Sequence, residues 1–317
     1  MLFRSLLVVD REITLGQFVA SEVVIILILN SVEKIIMYMD VIYDLLTAVD
    51  KIGAVTDLPM ERRGGLDMPD VTSPFAISLR NVTVVHHAEK HPALSNITFE
   101  VAPGERVCVS GPSGSGKSTL ADLLTGLIAQ YEGAVQVNNF ALRDIDLTYY
   151  RDHIAANGTS DDLFEGTLLD NIIIGNPKIR TTEAINALEK VGLRDTVAAW
   201  QEGIDTQVIS EGQGFSTGMA HRIMIARCLV RNPRLMILHD HFSSFTRKEK
   251  SELFRVVLSG QNGTVICFSN DPLVMAACDR LIILDDGKLK AEGTYQNLLR
   301  QGVLTDLDRK STRLNSS

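Results

Sequence analysis

The sequence predicts an α/β domain built around a phosphate-binding loop and preceded by a long apolar helix. Three observations carry this: GPSGSGKST at 111–119, the change of hydrophobic period across it, and an apolar run near the amino end. Gly111, Gly116, Lys117 and Ser118 match the pattern G-x-x-x-x-G-K-[ST]. RVCVSG before the loop reads as a short buried strand, and TLADLLTGL after it has helical spacing. In such a loop successive N–H groups and the helix amino terminus face an anion. Lys117 neutralises β- and γ-phosphate charge, and the Ser118 hydroxyl reaches magnesium. A glycine-rich turn with no ligand is the competing reading, and the complete motif in strand-to-helix context weighs against it.

Composition narrows the class. The chain has 317 residues, 45% hydrophobic and 22% charged, ordinary for a folded protein with a sizeable core. A net charge of -8, with dispersed Lys and Arg, gives no general attraction to phosphate backbones, so nucleic acid is not expected as a partner. Cys108, Cys228, Cys267 and Cys278 form no C-x-x-C pair and read as reduced, buried thiols.

Taken in order, the first element is apolar. ITLGQFVASEVVIILILNSV, between Glu12 and Glu33, is twenty residues with Glu22 as its one ionisable member, long enough to span a bilayer. An amphipathic core helix is the alternative, since Glu22, Asn30, Glu33 and Lys34 interrupt the run. Residues 34–60 keep three- and four-residue apolar spacing, as a helix continuing out of the bilayer would, up to Pro59. ERRGGLDMPDVTSP, 61–74, is rich in Gly, Pro and charge and reads as a linker, with a second domain starting near Phe75. ISLRNVTVV and ALSNITFEV then alternate as strands, and Pro103-Gly104-Glu105 turns into the strand before the loop.

Further motifs identify the kind of domain. LFEGTLLDNI at 163–172 is similar to L-F-x-G-T-I-x-E-N-I, and HRIMIARCLVRNPRLMIL at 221–238 to Q-R-x-A-I-A-R-A-L-x-x-x-P-x-I-L-I-L. Both patterns belong to ATP-binding cassette (ABC) transporters of the exporter type, which nearly the whole chain resembles. ITLGQFVA looks like the last membrane helix of such half-transporters, DKIGAVTDLPMER like the segment leaving it, and NVTVVHH like the opening of the cassette.

The resemblance implies a nucleotide-binding domain at 75–306 with an antiparallel β subdomain and a helical subdomain. Residues 1–60 would be the carboxy-terminal fragment of a transmembrane domain, while 307–317, polar and without an apolar period near its end, reads as a disordered tail, either native or appended. About one and a half membrane helices fit before residue 60 at roughly 20 residues each, against six in the family. It also implies ATP and Mg2+ as cofactors and the cytoplasmic side of the inner membrane as location. The partner would be a second half-transporter, a heterodimer being favoured. Gly111, Ser113, Gly114, Gly116, Lys117, Ser118 and Thr119 would hold the nucleotide, His86 would stack on its base, and Ser118 would meet the metal. Each ATP would lie between this loop and the partner's signature loop, so that two cassettes close on two ATPs.

Several positions depart from the family's pattern. Thr159 stands for the Gln that meets magnesium, water and the membrane domain. FSTGM at 215–219 replaces L-S-G-G-Q, keeping Ser216 and Gly218 for a partner's γ-phosphate. His239 replaces the magnesium-coordinating Asp and Asp240 the catalytic Glu. Imidazole is a poor magnesium ligand, so His239 reads as a buried or interfacial residue rather than a metal ligand. A one-residue bulge that brings Asp240 into the metal position is the alternative. Thr246 replaces an interface-crossing Asp, and Asn270 the switch histidine, able to donate a hydrogen bond but not to carry charge. With Asp240, Asn270 and Thr159 as the catalytic set, the expectation is an intact phosphate loop in a site relieved of fast hydrolysis. A working homodimeric pump and a nucleotide-sensing subunit without transport are the competing readings.

Overall fold

The computed structural model describes residues 9–10, 12–58, 60–69, 72–86, 91–158, 162–209, 214–239, 245–259 and 263–304. The chain divides into two compact units, Met1–Arg62 and Arg63–Ser317.

The first unit is dominated by one helix, α1 (Leu15–Thr56). It starts at a capping box in which the Thr14 hydroxyl accepts from Gln17 N–H and the Gln17 side chain accepts from Thr14 N–H. Nothing breaks its period for 42 residues. At 1.5 Å per residue that is about 63 Å, roughly twice a bilayer core. None of its residues is buried, and its most apolar window has a mean hydropathy of 1.9. The helix ends at Asp57, before Pro59, which lies outside the described residues.

The second unit has a sheet of four strands and a sheet of six. β1 (Ile77–Val84), β2 (Leu94–Val101), β4 (Glu132–Val137) and β5 (Phe140–Ala141) form an antiparallel sheet in the order β2-β1-β4-β5. The larger sheet contains β3 (Arg106–Ser110), β6 (Ile154–Asn157), β9 (Leu235–His239), β10 (Thr264–Phe268), β11 (Arg280–Asp285) and β12 (Lys288–Gly293), in the order β12-β11-β3-β10-β9-β6. All its pairings are parallel except β11 with β12.

Strand periodicity explains how this sheet is covered. Val107, Val109, Leu235, Ile237, Ile266, Phe268, Ile282 and Leu284 join one core, together with the antiparallel sheet and α2 (Lys117–Leu124). The intervening residues Cys108, Met236, Leu238, Val265, Cys267, Leu281 and Ile283 join the other. Successive side chains point to opposite faces, so a strand that is apolar throughout is buried on both sides, as parallel sheets are.

The second core is closed by helices. These are α4 (Leu168–Ile173), α5 (Thr181–Lys190), α6 (Arg194–Ala198), α7 (Thr217–Val230), α8 (Arg247–Ser259) and α9 (Pro272–Ala277), while α3 (Leu147–Asp152) precedes β6. A two-stranded pair, β7 (Gly166–Thr167) with β8 (Gln207–Val208), leads into α4, and α10 (Tyr295–Arg300) follows β12. Arg227 of α7 donates to the Asn171 carbonyl at 2.8 Å and to Asn171 Oδ1 at 3.2 Å. Asn171, fully buried, in turn holds the Phe164 backbone through both ends of its amide. The segment after β6 is thereby strapped to the helical side of the domain. All four cysteines are buried, and none is in a disulfide.

Candidate functional site: a phosphate loop and its surroundings

The loop 111–116 joins β3 to α2, and glycine decides its shape. A Cβ at Gly111 (φ +156°) would lie 2.2 Å from the Leu284 carbonyl oxygen, and one at Gly116 (φ +94°) 2.6 Å from the Ala93 carbonyl oxygen. Both contacts are backbone atoms that cannot swing away, so the loop can be built only with glycine there. Ser113 and Gly114 form an exposed crest, and Ser115 is buried beneath it. Lys117 folds back under the crest, its Nζ donating to the Gly111 carbonyl at 2.6 Å and the Pro112 carbonyl at 2.8 Å. Burial pushes its pKa below the ordinary lysine value.

One other segment reaches this loop, and two more lie against α2 behind it. Asn270, just past β10, accepts through Oδ1 from Ser110 Oγ at 2.8 Å and from Gly111 N–H at 3.1 Å. Since the Gly111 N–H only donates, the oxygen end of the amide faces the loop and the NH2 end is the donor facing away. His86 follows β1, and its Nε2 lies 3.3 Å from the Thr119 hydroxyl in the first turn of α2. One turn further on, burial raises the Asp122 pKa while the charge of His86 opposes the rise. Ser118, exposed, sits between the loop and Thr119. The third segment is the end of β9. His239 is 7% exposed and lies almost flat on Phe268, ring centroids 5.0 Å apart and planes 14° apart.

That strand end is clamped by a residue which the sequence marks only as a neighbour of Thr159. Asn157, 4% exposed, accepts from the His239 N–H at 2.8 Å and donates from Nδ2 to the His239 carbonyl at 3.4 Å. A polar residue closing the otherwise apolar strand IAAN is the signal for it. β9 pairs with β10 residue for residue from Thr264↔Leu235 to Phe268↔His239. No residue is inserted up to His239; the bulge offered as the alternative concerns Asp240 and falls beyond the described strand. Thr159 and Asp240 lie outside the described residues.

Ser216 and Gly218 lie apart from the loop. Ser216 caps α7, its hydroxyl accepting from Met219 N–H at 3.3 Å, and Gly218 is in the first turn. The flanking Phe215 packs on Trp200 at 5.5 Å between centroids. The described hydrogen bonds of Ser216 stay within its own helix start.

The arrangement suits a polyphosphate: an exposed backbone crest, a partly desolvated ammonium beneath it and a helix amino terminus behind. Among the described residues its oxygen ligands for a magnesium ion are few. The first turn of α2 offers two hydroxyl oxygens, Ser118 Oγ and Thr119 Oγ1, and the described end of β9 offers an imidazole stacked on a phenyl ring. Among the described residues no three His, Cys, Asp or Glu converge to hold a metal.

A strand–loop–helix with this cradle, inside a parallel sheet flanked by an antiparallel one, defines a phosphate-loop nucleotide-binding domain. Residues 94–243 match the family model described as ABC transporter. An ATP-dependent lipid A-core flippase of Burkholderia orbicola is 30% identical over 296 residues, 93% of this chain and 50% of that protein. The alpha-hemolysin translocation ATP-binding protein HlyB of Escherichia coli O157:H7 is 27% identical over 295 residues, 92% of this chain and 42% of that protein. The solved structure of a bacterial Atm1-family ABC exporter with ATP bound superposes with a TM-score of 0.74 at 25% identity, covering 84% of this chain and 47% of that one. Residues 94–243 therefore carry an ABC transporter ATP-binding domain, and the chain as a whole is similar to ATP-binding parts of exporters. It spans about half the length of the curated relatives it matches.

Proposed function

We propose that this chain is the ATP-binding part of an exporter, in which closure of two cassettes on ATP moves attached membrane helices, and that its own hydrolysis is slow. One observation carries the reading: the phosphate loop is built in full, while the residues around it that would act on water are replaced. Gly111, Ser113, Gly114, Gly116, Lys117, Ser118 and Thr119 bind the phosphates, and His86 lies beside the base. Asn270 contributes from the loop's edge, with Asp240 and Thr159 as the remaining members of the catalytic set. Ser118 is the side-chain ligand that we assign to any accompanying magnesium ion.

Residues 1–60 are the end of a transmembrane domain, 61–74 the linker, 75–306 the cassette and 307–317 a tail. The length of α1 and its apolar window support a helix that crosses the inner membrane and continues into the cytoplasm. Ser216 and Gly218, at a helix start outside the chain's own loop, suit a second half-transporter's nucleotide. A partner with an intact catalytic set, hence a heterodimer, is the assembly that would hydrolyse at a useful rate.

Equilibrium binding of a fluorescent ATP analogue to the full chain in detergent tests the reading. Lys117→Ala is expected to abolish binding, because it removes the one ammonium under the crest. Unchanged affinity in that variant would refute the assignment.

A further inference from the structure

We propose that Cys278 and Cys108 are a redox-responsive thiol pair on the strand that leads into the phosphate loop: hydrogen peroxide oxidises Cys278, Cys108 closes a disulfide with it, and nucleotide affinity falls. The last step rests on the ATP-binding reading above; the disulfide does not. Three of the four cysteines meet in the core on the helical side of the sheet. β3 and β10 pair in register at Cys108↔Cys267, which sets those two thiols side by side on one face. Cys278 joins them because the residue after it is tied to the start of β3. Asp279 N–H donates to the Arg106 carbonyl at 2.8 Å and Arg106 N–H to Asp279 Oδ2 at 2.9 Å, with Cys108 two residues along.

The cluster distinguishes its members. The Cys108 thiol above all, and then that of Cys267, hydrogen-bond the Cys278 sulfur and hold its pKa below the ordinary thiol value, against burial and the charge of Asp279. Cys278 is thus the member with thiolate character and, at 8% exposed, the outermost, while Cys108 is fully buried. A cavity of about 380 Å3 lined by Arg106, Phe254, Leu273 and Ala277 reaches the residue just before it. In the reaction the Cys278 thiolate attacks one peroxide oxygen, the O–O bond breaks, and the other oxygen leaves as hydroxide, which a proton converts to water. Cys108 sulfur then attacks the sulfenic sulfur of Cys278, the S–S bond forms, and the sulfenic oxygen leaves as a second water with the Cys108 proton. Two thiols and one peroxide become one disulfide and two waters. The cost to the loop follows from what Cys108 also holds: its Sγ donates to the Ser269 carbonyl at 3.6 Å, and the next residue, Asn270, accepts from Gly111 N–H. A disulfide sulfur has no proton to donate, so the segment that presents Asn270 loses that tie.

The test treats the full chain in detergent with hydrogen peroxide, alkylates the remaining thiols and maps the digest by mass spectrometry. The expected product is one dithiothreitol-sensitive link, Cys108 to Cys278, with Cys228 and Cys267 alkylated. Recovery of Cys108 and Cys278 unlinked, or of either joined to another cysteine, overturns the inference. Titration with a fluorescent ATP analogue is expected to give a Kd about threefold or more above that of the reduced chain, restored by dithiothreitol, and a Kd indifferent to peroxide in Cys278→Ser with folding checked by circular dichroism. An oxidised chain that binds like the reduced one, or a folded Cys278→Ser that still weakens in peroxide, would overturn the link to the loop. Absence of binding by the reduced chain overturns the ATP-binding reading and with it that link, but not a mapped disulfide.

Discussion

Replacing glycine by alanine at two positions of the phosphate loop separates backbone conformation from packing. Gly114 has φ +76° and open space around its missing Cβ, so Gly114→Ala carries only the left-handed backbone penalty, about 1–2 kcal/mol. Gly111 has φ +156°, and its Cβ would stand 2.2 Å from the Leu284 carbonyl oxygen and 2.6 Å from Ser115 Oγ. The Ser115 hydroxyl can turn aside, but Leu284 is the penultimate residue of β11, a strand paired on both sides, and moving it strains the sheet. Overpacking of this kind adds about 1–3 kcal/mol to a backbone cost of about 1–3 kcal/mol. For a domain of this size each kcal/mol lowers the melting temperature by about 2–4 °C. Gly111→Ala is therefore expected to melt about 4–24 °C below the parent, and Gly114→Ala about 2–8 °C below it, the packing contribution alone separating them by at least about 2 °C. Thermal melts of the full chain in detergent, followed at a helical wavelength at one scan rate, measure both. Melting of the two variants within about 2 °C of one another would refute the argument that packing against β11 shapes the loop.

Asn157→Leu fills the same space but leaves the buried His239 N–H without an acceptor, and a loss of about 1–3 kcal/mol in urea unfolding is expected. Asn157→Asp, which keeps the acceptor, should lose less. Turnover should be slow, since one positioned group is typically worth ~100-fold in rate. Because these residues act on one water, single reversions should do little, and His239→Asp, Asp240→Glu, Thr159→Gln and Asn270→His together should restore hydrolysis. Phosphate release in detergent measures this, and fast magnesium-dependent turnover by the unmodified chain would favour the homodimeric pump. Burial alone would raise the Glu105 carboxyl, but Arg280, at 2.6 and 2.9 Å, and the Ala102 N–H outweigh it and hold the pKa below the ordinary value. A depressed folded-state pKa gives stability that is present above the unfolded value, ~4.3, and lost as pH falls through the folded one. Glu105→Gln should flatten that acid limb of the urea midpoint against pH, and an unchanged limb would contradict it.

What the sequence determined by itself is what depends on neighbours along the chain. The phosphate loop is legible because its shape follows from contiguous residues, two of which must be glycine to fit beneath the adjoining backbone. The length of α1 is legible for the same reason: its apolar spacing runs through residues 34–56 without a breaker. Once β9 and β10 are known to be strands, alternation along each gives the parity of its residues.

Parity says which residues share a face, but not which strand lies alongside, and that is where tertiary structure decided. The order β11-β3-β10-β9-β6 brings Asn270 to Ser110 and Gly111 across about 160 positions of sequence. It also lays β6 beside β9, so that Asn157 can take hold of His239. Whether β9 carried a bulge was open in the sequence, because a bulge is a mismatch between two strands and one strand's residues do not contain it. The pairing Phe268↔His239 closes that question up to the last described residue of the strand. In the same way an isolated histidine after an apolar run has no assigned partner, and only the register of β10 supplies Phe268 as the surface on which it stacks.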